Sequence, residues 1–406
     1  MVIHPIPNSA LKITSGGKSV PPESPLLVFA DDWGRHPSSC QHLIKRLRRR
    51  FPVIWVNTIG TRSVKVDAFT WKRGWEKLRN WRKGLRQVDE RMWVIDMPML
   101  PSTANRWTSL VNRQLLTRRV QAVLRKLNFD RPIVISTLPH VWPLIESIPR
   151  AGVVYYCVDD FSHWPGADGA AIRLNESRLV RDADRVLAAS EELRQRLSAS
   201  CVPTPFPHAV DFSHFARCAR LTPPGELAAS PKPRIGFFGL IYEQLDFELL
   251  RHVALQMPEA TLVMIGPIAS CPATFRALPN VVFTGPKSYD ELPQWIAACD
   301  VLMLAYRKDE MTKQVNPLKL KECLATGKPI VSVDIPTALE FREALYVASD
   351  RDEFVAGIRR ALSEPDRCSE ASKRQSLVTN DSWDARAEEL YAILTELVDD
   401  RHAATA

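Results

Sequence analysis

No run of about 18 consecutive apolar residues, the length a bilayer-spanning helix needs, occurs in the 406-residue chain. The greasiest stretches, Ile133–Ile145 and Ile330–Val333, are short or broken by Pro, His and Ser, so no membrane span is expected. The first 25 residues, Met1–Pro25, mix Pro, Ser, Gly and Lys and lack the apolar core of a secretion signal. A flexible tail is the expectation there. Clustered cysteine is also missing. The eight cysteines stand at positions 40, 157, 201, 218, 271, 299, 323 and 368, with no Cys-x-x-Cys pair and none grouped with His. That scatter argues against a zinc site or a disulfide framework and fits a reduced, cytoplasmic interior.

What is present is the composition of an ordinary globular protein, with 45% hydrophobic and 25% charged residues. The length allows two or three domains. A net charge of +8 conceals an asymmetry: residues 1–216 hold 32 Lys and Arg against 19 Asp and Glu, a net +13, while residues 217–406 hold 22 against 27, a net −5. A basic half suits nucleic acid, an anionic membrane or phosphorylated ligands, and sign alone does not separate these. In Trp71–Arg91, the residues Trp71, Trp75, Leu78, Trp81 and Leu85 fall within about 120° of one another at helical spacing. Lys72, Arg73, Lys77, Arg79, Lys83 and Arg86 point largely elsewhere. An interfacial helix at a lipid headgroup layer needs that arrangement; a helix packed on its own domain, with a solvated basic face, is the alternative. Gly74 and Gly84 weaken a single continuous helix.

Short β-branched runs alternate with longer helical stretches, the pattern of parallel α/β units. The first half reads as strands Leu26–Ala30, Val53–Asn57, Trp93–Asp96, Ile133–Ser136, Val153–Val158 and Arg185–Ala189, with helices Ser38–Arg50, Asn105–Leu127 and Ala170–Asp182. The alternation restarts with strands Ile235–Phe238, Thr261–Ile265, Val281–Thr284, Val301–Leu304, Ile330–Val333 and Leu345–Ala348, and helices Phe247–Gln256, Tyr289–Ala298, Pro317–Ala325 and Asp352–Leu362. The expected fold class is α/β, with two Rossmann-like, doubly wound parallel-sheet domains facing a central cleft. Residues 26–216 would form the first domain, 217–233 a Pro-rich linker, 234–382 the second domain, and 383–406 a C-terminal helix packing back on the first. Ligands of such sheets bind beyond the carboxyl ends of the strands, so residues just after a strand are the candidates.

The most informative run is Asn316-Pro317-Leu318-Lys319-Leu320-Lys321-Glu322-Cys323-Leu324-Ala325-Thr326-Gly327-Lys328-Pro329-Ile330-Val331. It reads as a loop, a helix opened by Pro317 at its first turn, a Gly stop and a strand. The free N–H groups at the start of such a helix suit a diphosphate. Lys319 adds a full charge, and Glu322, one turn on, suits the two hydroxyls of a ribose. A solvated surface pair is the plainer reading of Lys319 and Glu322.

The pattern Pro-x-Lys-x-x-Glu-x-x-Ala-x-Gly-x-Pro-Ile-Val resembles the donor-binding signature of nucleotide-sugar glycosyltransferases with the two-domain GT-B fold, a group of mostly retaining bacterial enzymes of polysaccharide and glycan biosynthesis. Several stretches agree in order and spacing: Phe29-Ala30-Asp31-Asp32-Trp33-Gly34-Arg35, Tyr156-Cys157-Val158-Asp159-Asp160, Ala189-Ser190-Glu191-Glu192-Leu193, His208-Ala209-Val210-Asp211 and Gly236-Phe237-Phe238-Gly239. The likeness covers roughly residues 26–395.

The resemblance implies that Glu322 holds the ribose and Lys319 part of the leaving diphosphate, with Gly239, Asn316, Pro317 and Leu318 at the donor. The family's acidic residue eight positions before Glu322 is Gln314 here, so sugar contacts are expected from Glu310, Thr312 or the backbone near Asn316. The family's Arg or Lys after the glycine is also absent; the loop reads Leu240-Ile241-Tyr242-Glu243-Gln244-Leu245-Asp246. Lys319, His140 and Asp159 are the catalytic candidates; His140 is one by its place after the strand Ile133–Ser136, with an ordinary loop histidine as the alternative. Asp31, Asp32, Trp33, Arg35, His36 and Asp160 are acceptor-side candidates, with N-capping and loop hydrogen bonding as their alternative roles. His208 and Asp211 either border the cleft or make a turn. Asp182-Ala183-Asp184, an Asp-x-Asp, precedes a strand and so lies at the wrong end of the sheet for metal chemistry.

The expected activity is metal-independent transfer of a sugar from a nucleoside-diphosphate sugar, the co-substrate, to a glycan or lipid-linked acceptor in surface polysaccharide biosynthesis. No cofactor and no metal are expected. Positive groups placed at the departing diphosphate lower the barrier. Retention would follow if the leaving phosphate takes the acceptor proton; a base among Asp31, Asp32 and Asp159 would invert. The expected place is the cytoplasm, with peripheral contact at the anionic inner face of the membrane. Rival readings are a nucleotide-sugar epimerase of the same architecture and a basic nucleic-acid-binding protein, the latter suggested by pI 9.1 and 11 tryptophans. No compact nucleic-acid motif accompanies them, so no nucleic-acid partner is expected.

Overall fold

The structure is a computed structural model that describes residues 24–34, 38–57, 84–96, 106–164, 167–227, 229–309 and 318–405. The candidates Arg35, His36, Glu310, Thr312, Asn316 and Pro317, and the Trp71–Trp81 stripe, lie outside these residues.

The first sheet contains β1 (Leu26–Ala30), β2 (Val53–Asn57), β3 (Leu85–Asp89), β4 (Met92–Asp96), β5 (Ile133–Ser136), β6 (Gly152–Cys157), β7 (Arg185–Ala188) and β8 (Thr204–Pro205). Its order is β3-β4-β2-β1-β5-β6-β7-β8, parallel except for the antiparallel β3–β4 pair. The second sheet contains β9 (Arg234–Phe238), β10 (Thr261–Ile265), β11 (Val281–Gly285), β12 (Val301–Leu304), β13 (Ile330–Val333) and β14 (Tyr346–Ala348), in the order β11-β10-β9-β12-β13-β14, all parallel. The interior strands β1, β5, β9, β10, β12 and β13 are buried along their whole length. Continuous β-branched and aliphatic runs produce such strands, because helices cover both faces of a parallel sheet. In each sheet the winding reverses beside the first strand, β1 or β9, which is where these folds open a crevice.

Three parts of the organisation differ from the sequence expectation. Leu85 and Arg86 do not continue a helix from Trp71; they begin the edge strand β3, where Leu85 pairs with Ile95 and Arg86 with Val94. Gly84, at φ +62°, supplies the break, and Arg86 Nε donates to Asp96 Oδ2 at 3.3 Å. The second difference is the domain crossing. Val210, Phe215, Cys218 and Leu227 all belong to the second core, and Arg234 Nη2 donates to the carbonyls of Leu227 (2.6 Å) and Ser230 (2.7 Å). The Pro-rich stretch 217–233 therefore wraps the second domain, and the chain changes domain earlier, between the first-core residue Ala209 and Val210. Proline marks irregular backbone, which a domain surface needs as much as a linker does. The third concerns the short helices Trp142–Ile145, Glu191–Leu197, Phe212–Ala216, Pro336–Glu340 and Arg367–Ser376, for which the sequence reading has no counterpart.

The last helix, Trp383–Thr405, returns to the first domain. Trp383, Leu390, Leu394 and Leu397 are part of its core, and Arg46–Asp384 and Arg50–Glu388 pairs flank the contact. A Cβ on Gly152 would lie 2.2 Å from Leu397 Cδ2, so the glycine in β6 is what lets this helix approach.

Candidate active site

The carboxyl ends of both sheets open onto one cleft of about 950 Å3. The first domain contributes Gly34, Gln41, His42, Lys45, Arg46, Asp159 and Trp164; the second contributes Gly239, Tyr242, Gln244, Gly266, Lys287, Tyr289, Leu318, Lys319 and Glu322, among others.

On the second-domain wall, β9 and β10 both end in glycine. Gly239 has φ +130° and Gly266 φ +141°; a Cβ on Gly266 would stand 2.0 Å from the Gly239 carbonyl oxygen. The two loops therefore touch backbone to backbone, an approach only glycine permits. Over this floor runs Lys319, whose Nζ lies 4.8 Å from the Phe238 ring centroid. Helix Leu318–Thr326 also presents Glu322, which is buried. Burial raises its pKa above the ordinary value, and the Lys319 charge pulls it partly back. A carboxylate kept out of water beside a cation is primed to accept hydroxyl hydrogen bonds. The sequence thus locates Gly239, Leu318, Lys319 and Glu322 on one wall.

On the first-domain wall the acidic candidates separate. Asp159, after β6, accepts from Trp164 Nε1 at 2.8 Å through Oδ2, while its buried Oδ1 has no hydrogen-bond partner among the described residues. Burial pushes its pKa up to about 6. Asp160, by contrast, is spent on structure: it accepts from Ser162 N (3.0 Å) and Ser162 Oγ (2.5 Å) and pairs with His163 (3.2 Å) and Arg196 (3.6 Å), contacts that hold its pKa below the usual value despite desolvation. Asp31 accepts from Ser38 Oγ at 2.7 Å and from Gln41 Nε2, fastening the β1 loop to the next helix. Asp160 thus takes the capping role and Asp31 the loop hydrogen-bonding role. Asp32 and Trp33 do not line the cleft; the Asp32 carbonyl accepts from Gln41 (3.2 Å), and the Trp33 ring packs edge-on against Trp55 at 4.9 Å. His140 lies in the turn after β5 and is not among the lining residues, with Nε2 buried and unpartnered among the described residues and its pKa lowered by burial to about 4.

The Asp-x-Asp is structural. Trp142 Nε1 donates to Asp182 Oδ2 (3.1 Å) and Val153 N to Asp184 Oδ2 (2.8 Å). Asp211 lines the cleft and caps helix Phe212–Ala216, and His208 is buried behind it. Among the described residues no group of three or more His, Cys, Asp and Glu could hold a metal ion.

Several lining residues escape sequence reasoning. His42 stacks on Trp383 (centroids 4.9 Å apart, planes 3°) and faces Tyr289 at 5.8 Å, while Tyr289 stacks on His214 at 4.1 Å. This aromatic series bridges the domains, with His42 and Tyr289 lining the cleft. Gln244, buried, has an unpartnered Oε1 among the described residues. The one available signal was position: Gln41, His42 and Lys45 follow β1, and Gln244 follows β9.

Two parallel α/β domains that present their strand ends to a shared cleft define the GT-B fold. Residues 232–364 match the family model described as glycosyl transferases group 1. TuaH of Bacillus subtilis (strain 168), whose name gives it a proposed role as a teichuronic acid biosynthesis glycosyltransferase, is 27% identical over 225 residues, 52% of this chain. The chain thereby spans 57% of the length of that curated relative. Among solved structures, sucrose-phosphate synthase from Thermosynechococcus elongatus superposes with a TM-score of 0.68 at 14% identity, over 93% of this chain and 100% of that one. HepE of Anabaena, in complex with UDP and glucose, gives 0.64 at 14% identity over 92% and 100%. The fold is therefore GT-B, and the residues that match the group 1 model include Gly239, Lys319 and Glu322.

Proposed function

We propose that the protein is a glycosyltransferase that moves a sugar from a nucleoside-diphosphate sugar to a glycan or lipid-linked acceptor in surface polysaccharide biosynthesis. The observation that carries this reading is the cleft that faces Lys319 and Glu322 on one wall with Asp159 on the other, one carboxyl oxygen of which is buried without a hydrogen-bond partner among the described residues. The group 1 match over the donor wall, the name of TuaH and the UDP in HepE support it.

Glu322 binds the ribose hydroxyls, and Lys319 and the backbone at Gly239 neutralise the diphosphate as it departs. A fixed cation at that place lowers the barrier without reorganisation, so the reaction runs without a divalent metal or cofactor. The sugar keeps its anomeric configuration, with the leaving phosphate taking the acceptor proton. A second reading, inversion with Asp159 as general base, is favoured by its raised pKa and unpartnered Oδ1.

No helix among the described residues is long and apolar enough to cross a membrane. The protein works in the cytoplasm and meets its acceptor at the anionic inner surface. Helix Arg106–Lys126 supports this contact: it has no acidic residue and exposes Leu110, Val111 and Leu115.

The test is calorimetric titration with nucleoside diphosphates followed by incubation with UDP-sugars and lipid-diphosphate acceptors, with the product anomer read by NMR. Sugar transfer supports the reading, and the anomer chooses between retention and inversion. Donor conversion without acceptor would instead identify an epimerase, and absence of any nucleotide binding would overturn the assignment.

A further inference from the structure

The chain passes between the domains twice, and the two passages lie side by side: Val210 N donates to the Asp381 carbonyl at 2.8 Å, and Val210 bridges Ser382 in parallel. His208 stands at the first passage and belongs to both domains. Its ring is buried in the first, where Nδ1 meets Ser39 Oγ at 2.8 Å and Tyr156 OH at 3.2 Å. Its main-chain carbonyl is taken by the second domain, accepting a hydrogen bond from Lys321 Nζ. The same ammonium pairs with Asp381 Oδ2 of the second passage at 2.5 Å, and Arg386 reaches Asp381 Oδ1 at 3.3 Å. Lys321 is therefore a buried cation, its side chain 6% exposed, that binds both crossings at once.

Its location gives this contact a consequence. Lys321 sits on helix Leu318–Thr326 between Lys319 and Glu322, the two donor-side groups, but points away from the cleft they line. From it a path leads through the His208 carbonyl and ring to the Tyr156 hydroxyl on β6, the strand that Asp159 follows, on the acceptor side. A buried ion pair of this kind adds little net stability, because desolvation offsets most of its attraction, while removing one partner leaves an uncompensated charge. Its value lies in fixing one relative position of the groups it joins.

We propose that Lys321 is a positioning residue that locks the donor helix to both domain crossings and thereby sets Asp159 against the donor. The proposal rests on the reading of the cleft as a sugar-transfer site, and it separates donor binding, which Lys319 and Glu322 perform, from alignment, which Lys321 performs.

The experiment compares Lys321→Met, Lys321→Arg and Asp381→Asn in the full chain. Hydrogen exchange is read without ligand, UDP affinity by calorimetry, and transfer by kcat and KM. In Lys321→Met, amide exchange in residues 156–164 is expected to rise at least tenfold while residues 234–265 stay as in wild type. UDP affinity should remain within threefold and kcat should fall at least tenfold at nearly unchanged donor KM. Lys321→Arg restores most of the kcat. If Lys321→Met does not fold, Asp381→Asn, whose carboxylate is nearer the surface, is expected to give the same pattern. Unchanged exchange in 156–164 in a folded variant, or kcat and UDP affinity falling together, overturns the proposal. Wild type that fails to bind UDP or transfer sugar while the exchange pattern holds instead counts against the functional reading alone, and the coupling stands.

Discussion

Lys319 fills the space that a side chain on Gly239 would occupy: a Cβ built on Gly239 falls 2.6 Å from Lys319 Nζ and 2.8 Å from Cε. The glycine that follows β9 and the lysine of helix Leu318–Thr326 thus form one unit, although 80 positions of sequence separate them. Gly239→Ala displaces the ammonium and strains a backbone at φ +130°, a combined cost of about 1–3 kcal/mol. Calorimetry with UDP should show at least tenfold weaker binding than wild type; unchanged affinity would mean that Lys319 does not meet the diphosphate from this position.

Replacing Glu322 separates ligand binding from stability. Its folded pKa is raised, so ionisation costs more in the folded chain than in the unfolded one. That penalty is fully present above the folded pKa and vanishes as pH falls below the unfolded value. Glu322→Gln should therefore raise the melting temperature of the unliganded protein at pH 7–8, with the gain disappearing toward acid pH. The same variant should bind nucleoside diphosphate about 1–3 kcal/mol more weakly. Equal melting curves at pH 7 together with wild-type affinity would remove Glu322 from the site.

Asp159 titrates near 6 by burial, and the Trp164 hydrogen bond, which favours the charged form, restrains the shift. If the carboxylate is the active form, kcat/KM should fall with unit slope as pH drops through about 6. In Trp164→Phe that limb should move to higher pH, and Asp159→Asn should lower the rate about 10²–10⁴-fold. A profile in Trp164→Phe identical to wild type would show that another group produces the limb.

Asp184 tests metal independence. Its Oδ2 accepts the Val153 N–H at the amino end of β6, and the Val153 carbonyl takes the Asp184 N–H in return. Asp184→Asn should cost about 1–2 kcal/mol of stability and leave turnover in chelator close to that of wild type. Activity lost in chelator and restored by manganese would reverse this.

For membrane contact, the basic and apolar surface of helix Arg106–Lys126 and the Trp71 stripe should make separate contributions. Basic residues near an anionic surface add on the order of 1 kcal/mol each. Co-sedimentation with anionic vesicles should weaken in Arg118→Glu/Arg119→Glu and in Trp71→Ala/Trp75→Ala, and with added salt. Binding indifferent to both pairs, or displaced first by single-stranded DNA, would favour a nucleic-acid partner.

The sequence by itself determined the strands and the helix Leu318–Thr326. Val53–Asn57, Ile133–Ser136, Thr261–Ile265, Val301–Leu304 and Ile330–Val333 coincide with the expected boundaries, because a strand buried on both faces must be apolar throughout and turn residues end it abruptly. Lys319 and Glu322 were legible for a similar reason: their spacing on one helix is local. Tertiary structure alone decided the other wall. Asp31, Asp159 and Asp160 all follow strands, and their side chains are chemically alike. What distinguishes them is that Ser38 and Gln41 hold Asp31, Ser162 and Arg196 hold Asp160, and Asp159 keeps one buried oxygen without a hydrogen-bond partner among the described residues. The domain crossing at His208, its tie to Lys321, and the meeting of His42 with Tyr289 likewise depend on packing between distant segments. Desolvation and hydrogen-bond occupancy belong to the assembled fold, and no periodicity in the chain encodes them.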